Sequence, residues 1–226
     1  MPERFDTAIR LVEHAFVQLE NDAKQGRYAP PRTKFAGSVA RLLGREDIAR
    51  RCAKLLGDTP DTVFWNGILT NIALPEAVPP QMRSIPSLAE LEEAFPTYSE
   101  SRVVAYIRQC AETERHLALA LERRYEEAFD QARTDLQVEE IALAQAVLGD
   151  MEAAVDSAVS QVSSGDRRFG VFLVLTVELF RRGRVAEAHR QLAALDSGHL
   201  NVWSAGQLAL GIADRQPWQG YPYPDW

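Results

Sequence analysis

EEIALAQAVLGDMEAAVDSAVSQVSSGDRRFGVFLVLTVELFRRGRVAEAHRQLAAL, residues Glu139 to Leu195, carries one pattern twice. Gly149 is followed five residues later by Ala154, and Gly183 five residues later by Ala188, so the pair repeats at 34 residues. A tight-turn glycine and a small helix-contact residue at that period predict helix–turn–helix units stacked on one another. The spacing predicts helices over about Leu136–Leu148, Met151–Val162, Arg167–Arg182 and Val185–Leu195. Gly149 and Gly183 close the turns inside each pair, and Ser163-Ser164-Gly165-Asp166 joins the pairs. Phe169–Phe180 has the Val, Phe and Leu content of a strand, but its length, the Arg181-Arg182-Gly183 stop and the 34-residue register favour a buried helix. A final helix, about Leu200–Ala213, is expected to cover the open end of the stack.

Working back towards the N-terminus, Thr33–Pro60 reads as an earlier copy of the hairpin. Gly44 breaks two apolar stripes, and Gly44 to Ala49 is again a five-residue step. Gly37 sits where the two helices of that hairpin would approach closely. Ahead of it, Phe5, Ile9, Val12, Phe16 and Leu19 fall at alternating spacings of four and three, one apolar helix face ending before Gly26. Pro30-Pro31 is expected to form the following loop. A short apolar helix is expected from Asp61 to about Ile72. Prolines 75, 79, 80 and 86 then mark a linker, followed by a capping box, Ser87-x-x-Glu90, that opens a two-turn helix. From Ser99 or Ser101 a long helical stretch runs to its main boundary at Arg133-Thr134-Asp135, a break near His116 or Arg124 being the alternative. Residues 61–132 show no repeat. The chain therefore divides into N-terminal hairpins (1–74), a proline-rich linker with a short helix (75–98), a C-terminal helical-repeat region (99–215) and an extended tail (216–226).

Composition limits the function. The chain of 226 residues carries a net charge of −7, with 25% charged and 46% hydrophobic residues, ordinary for a globular protein. Residues 1–60 hold 11 Lys+Arg against 8 Asp+Glu and the rest 14 against 24, so no strongly basic surface points to nucleic acid. No apolar run approaches the roughly 20 residues of a membrane span, and no signal-peptide pattern opens the chain. Cys52 and Cys110 form no CxxC pair and read as reduced thiols. A cytoplasmic protein is expected. The near-exclusive use of arginine over lysine points to a GC-rich bacterial genome.

The small and large positions resemble those of the tetratricopeptide repeat family. Ala142, Gly149, Ala154 and Ala158 match its small positions in one unit. Phe172, Leu175, Gly183, Ala188 and Leu192 match its key positions in the next. Gly37, Gly44, Ala49, Ala53 and Pro60 fit the earlier copy. Gln145 and Leu179 stand where the family places a tyrosine or similar residue. The resemblance implies an all-α fold: a solenoid of stacked α–α hairpins with a C-terminal capping helix and an extended, aromatic and proline-rich tail. It also implies a concave groove lined by the first helix of each pair. In this register the groove-facing residues are Glu139, Leu143, Ala146, Leu173, Val177 and Arg181.

Motifs for chemistry are sparse. His14, His116, His189 and His199 form no HExxH or similar metal pattern, and no GxSxG, GxGxxG or GxxxxGK[ST] is present. No cofactor, metal or catalytic residue is expected. Arg181, Arg182 and Arg184 end a helix, where cations complement its dipole; the alternative is a clamp on a partner's carboxylate. In the tail, Trp218, Tyr221, Tyr223 and Trp226 lie among three prolines. They either pack back on the chain or dock on a partner or a second copy, which would make the protein a homo-oligomer. The expected function is a non-enzymatic protein-interaction module (adaptor, assembly factor or co-chaperone) binding a peptide or helix of another protein in the concave groove, with no nucleic acid or membrane involved. The alternative is an enzyme, or an accessory subunit of one, with its site in the middle region.

Overall fold

In the computed structural model of the chain, which describes residues 2–27, 30–58, 84–95, 97, 100–162, 165–194 and 200–215, the turn glycines take the conformation their positions demand. Gly149 has φ +90° and Gly183 φ +74°. At each turn the amide of the left-handed residue donates to the carbonyl three residues back, and the next amide donates to the carbonyl five back. Gly149 thus donates to Ala146 at 3.1 Å and Asp150 to Gln145 at 2.9 Å, the pairing of a Schellman motif.

Among the described residues this closure recurs at Gly26, Gly44, Arg123 and Asp214. Arg123, at φ +60°, adopts it without being glycine. Four of these turns lead into a helix with an alanine five residues on. Ala49, Ala128, Ala154 and Ala188 are all fully buried, because that position faces the preceding helix where a larger side chain would hold the pair apart. The five-residue step therefore occurs a further time, inside residues 61–132, where no repeat was expected.

Every regular element among the described residues is an α-helix. In chain order these are α1 (Pro2–Lys24), α2 (Pro30–Leu42), α3 (Glu46–Gly57), α4 (Leu88–Ala94), α5 (Glu100–Ala111), α6 (Arg115–Leu121), α7 (Tyr125–Gln131), α8 (Asp135–Leu148), α9 (Met151–Ser160), α10 (Gly165–Arg181), α11 (Val185–Ala194) and α12 (Val202–Ile212). No helix among them is long and apolar enough to cross a membrane. Pro30-Pro31, expected in a loop, begins α2. Proline fits a first helical turn because its missing N–H would have no intrahelical partner there. The stretch after Ser99 is interrupted twice, at 112–114 and 122–124, giving α5, α6 and α7. The apolar segment 61–72 lies outside the described residues.

Two compact units form. In the first, α1 packs on α2 and α12, and α2 packs on α3 and α4. Its core takes Val12, Phe16 and Leu19 from the expected face of α1, whereas Phe5 is 44% exposed. Phe35 stacks on Trp203 with ring centroids 4.5 Å apart and meets Phe95 at 6.5 Å. Arg51 lies 4.3 Å over the Phe16 ring and pairs with Glu20, tying α3 to α1. The close approach expected at Gly37 is present: a Cβ there would lie 2.8 Å from Cys52 Cβ on α3 and 2.5 Å from Ile85 Cδ1. The capping box at Ser87 and Glu90 forms as its sequence predicts. The final helix, expected to cap the stack, is α12; it belongs to this first unit, where α1 and α2 pack on it. Its composition, apolar from Ala205 to Ile212 except for Gln207, calls for burial without specifying a neighbour.

The second unit holds α5–α11. α8 packs on α6, α7, α9 and α10, and α11 packs on α10. Residues 141–147 of α8 are buried on every side, as are 174–180 of α10. Thr134 caps α8 by accepting from the Gln137 amide at 3.3 Å, while the Gln137 side chain accepts from Arg133 N–H instead of closing a full capping box.

Candidate functional site

The turns of the second unit converge. Asp150, in the α8–α9 turn, accepts a hydrogen bond from Tyr125 O–H at the start of α7 and pairs with Arg123 of the α6–α7 turn. Arg123 also donates to the Leu148 carbonyl at 3.2 Å, and Arg182 of the α10–α11 turn donates to the Val147 carbonyl at 2.9 Å. The last carbonyls of α8 have no intrahelical donor, so cations from the two flanking turns satisfy them and complement the negative end of the helix dipole. The residues after the turns lock the next helices in a similar way. Arg124 holds Glu127 at 2.8 Å and Arg184 holds Glu187 at 2.7 Å, and each guanidinium pulls its carboxyl below the ordinary glutamate value.

Two surface hollows lie beside these turns. One, of about 480 Å³, gathers Arg123, Tyr125, Asp150, Glu152 and Arg184. Burial, and then the hydrogen bond to Asp150, push the Tyr125 phenol well above its ordinary value, so it is held protonated. The other, of about 310 Å³, is a cleft between α9 and α11 over α10. Met151, Val155, Leu175 and Leu179 floor it. Glu152 and Asp156 stand on its α9 wall, and Arg184, Glu187 and Arg190 on its α11 wall.

Comparison with protein-family models, curated proteins and solved structures finds no match.

Of the six residues assigned to a groove, Glu139, Leu143, Ala146 and Val177 are buried, Leu173 is half-buried and the Arg181 side chain is 8% exposed. Leu143 and Ala146 lie in the fully enclosed part of α8. Arg181 lies 3.5 Å from Glu178, itself buried, so a charged pair occupies the face where a partner was anticipated. The three arginines at the end of α10 divide their roles: Arg181 pairs with Glu178, Arg182 caps α8 and Arg184 holds Glu187. Trp218, Tyr221, Tyr223 and Trp226, with the docking expected of them, lie outside the described residues.

His116 is buried and its Nε2 lies 2.8 Å from Glu140, joining α6 to α8. The ring of His189 meets Phe180 edge-on at 5.2 Å, while His199 lies outside the described residues. No group of His, Cys, Asp and Glu among the described residues is placed to hold a metal. Burial pushes the Cys52 thiol up to about 12, which leaves it unreactive at neutral pH. Sequence reasoning anticipated a break near Arg124 but not the left-handed turn at Arg123 or its buried Ala128, and it missed the α9–α11 cleft. A signal for the turn exists: Arg124-x-x-Glu127-Ala128 repeats Arg184-x-x-Glu187-Ala188, pairing and buried alanine included.

Proposed function

We propose that this chain is a non-enzymatic protein-interaction module, a tetratricopeptide-like stack of helical hairpins that presents a surface to another protein. The observation that carries the reading is the recurring turn: the same left-handed closure and the same buried alanine five residues on at Gly44, Arg123, Gly149 and Gly183. A chain that spends its sequence on repeated hairpins, joined turn to turn by Arg123 and Arg182, builds extended surface in place of one enclosed pocket. In this conformation the first-helix face is filled by its own side chains. The surface open to a partner is the cleft on the second helices, α9 and α11.

The second reading, an enzyme or an accessory subunit of one, has the hollow around Asp150 on its side, because ionisable groups converge there. Those groups are spent on one another. Asp150 serves Tyr125 and Arg123 together, and Arg184 serves Glu187, so the hollow is accounted for by hairpin stacking. Affinity capture from cells that express the chain, with identification of what is retained, separates the readings. A defined protein held in stoichiometric amount supports the module. Turnover of a small molecule by the purified chain, with no protein retained, overturns it.

A further inference from the structure

We infer that the α9–α11 cleft takes an amphipathic helix from a partner protein, with its apolar stripe on the cleft floor and lysine or arginine side chains facing α9. This inference rests on the interaction-module reading. On the α9 wall, Glu152 and Asp156 are exposed and stand four residues apart, so their carboxylates rise from one face on successive turns. Neither carboxylate hydrogen-bonds or forms an ion pair among the described residues, although Glu152 is close enough to help raise the Arg184 pKa. α9 carries no basic residue. Across the cleft, Arg184 is engaged by Glu187, and Arg190 is the remaining cation. The cleft therefore offers more negative than positive charge, concentrated on one wall.

A docking helix matches the spacing of the two acids. Basic side chains four apart on a docking helix lie about 5–6 Å from one another, the spacing Glu152 and Asp156 themselves have as i and i+4 residues. Strand neighbours on one face, two residues apart, lie about 6.6–6.8 Å from one another and then turn away with the sheet twist. Val155 and the edges of Met151 and Leu179 provide an apolar seat beside the acids. The exposed Val159, one turn beyond Val155, extends the stripe along α9. Helix-in-groove recognition of this kind draws affinity from apolar anchors and orientation from the flanking charges.

The test is a fluorescence-anisotropy titration of the full chain with two labelled, end-capped helical peptides. One places leucines along a stripe with lysines beside them, and the other substitutes glutamate for every lysine. The lysine peptide is expected to bind the wild-type chain with Kd tighter than about 1 mM. Glu152→Arg with Asp156→Arg should weaken it about tenfold and make the glutamate peptide the better ligand. A control of equal net charge, Glu112→Arg with Glu126→Arg, alters exposed acids away from the cleft and should stay within roughly twofold of wild type at physiological salt. Circular dichroism confirms that each variant is folded. Equal weakening by both charge reversals, or no binding of the lysine peptide, overturns the cleft assignment. If a naturally captured partner is retained equally by wild type and the cleft variant, the cleft fails and the interaction module stands. If neither retains a protein, the module fails as well.

Discussion

Arg182 Nη2 donates to the Val147 carbonyl at 2.9 Å, so the end of one hairpin's second-unit helix, α10, supplies the missing donor at the end of another, α8. The same guanidinium lies 3.0 Å from where a Gly149 Cβ would stand, so the α8–α9 turn and the α10–α11 turn fit each other. Arg182→Ala should lower stability by about 1 kcal/mol, since it removes a charge-assisted bond to a partly exposed carbonyl. Urea unfolding monitored by circular dichroism checks this. An unchanged midpoint would mean that the contact contributes nothing.

Gly183 and Gly149 separate two costs. A Cβ at Gly183 meets nothing within 4 Å, so Gly183→Val should cost only the left-handed backbone, about 1–2 kcal/mol. Gly149→Ala adds the Arg182 contact to the backbone cost. Its penalty should therefore shrink when combined with Arg182→Ala. A double-mutant cycle reads this coupling, and strict additivity would remove it.

Gly37→Ala tests the close approach in the first unit. The added methyl would stand 2.8 Å from Cys52 Cβ and 2.5 Å from Ile85 Cδ1. Ile85 can shift at its end, but the Cβ of Cys52 moves only with α3. The expected loss is about 1–3 kcal/mol, visible as a lower melting temperature. Retention of the wild-type melting curve would show that α3 yields freely.

Acid should weaken the helix starts. The Arg45 guanidinium holds Asp47 at about 2 against an ordinary 3.8, and Glu46, Glu127 and Glu187 are likewise pulled down by Arg41, Arg124 and Arg184. A depressed folded-state pKa gives stability that is present above the unfolded value and lost as pH falls through the folded one. For Asp47 that window runs from about 4 down to about 2. Denaturant midpoints measured across it should fall, and Asp47→Asn should flatten the fall. A pH-independent midpoint in wild type would contradict the pairing.

The fold was legible where residue identity and conformation coincide. Glycine is the residue that most readily takes a left-handed turn, so Gly44, Gly149 and Gly183 announced their hairpins. Arg123 takes the same conformation with a side chain, supported by Asp150 and the Leu148 carbonyl, and a search for glycine passes over it. The final helix was legible as buried but not as to its place, because an apolar run does not specify which neighbour covers it. For the residues assigned to the groove, register and packing answer different questions. Register shows which way Leu143 and Val177 point, and only packing shows that this side is filled. The cleft escaped notice because Glu152 and Asp156 lie on α9 and their companions, Arg184 just before α11 and Arg190 on it, come about one repeat later.

The central claim is that the chain works by binding another protein through its hairpin surface. Its most direct test is a calorimetric titration of the purified full chain with the purified protein it captures. A saturable isotherm at defined stoichiometry, weakened by Glu152→Arg with Asp156→Arg in a folded chain, is the predicted result. A flat isotherm with the captured protein, together with turnover of a small molecule by the chain alone, would contradict it.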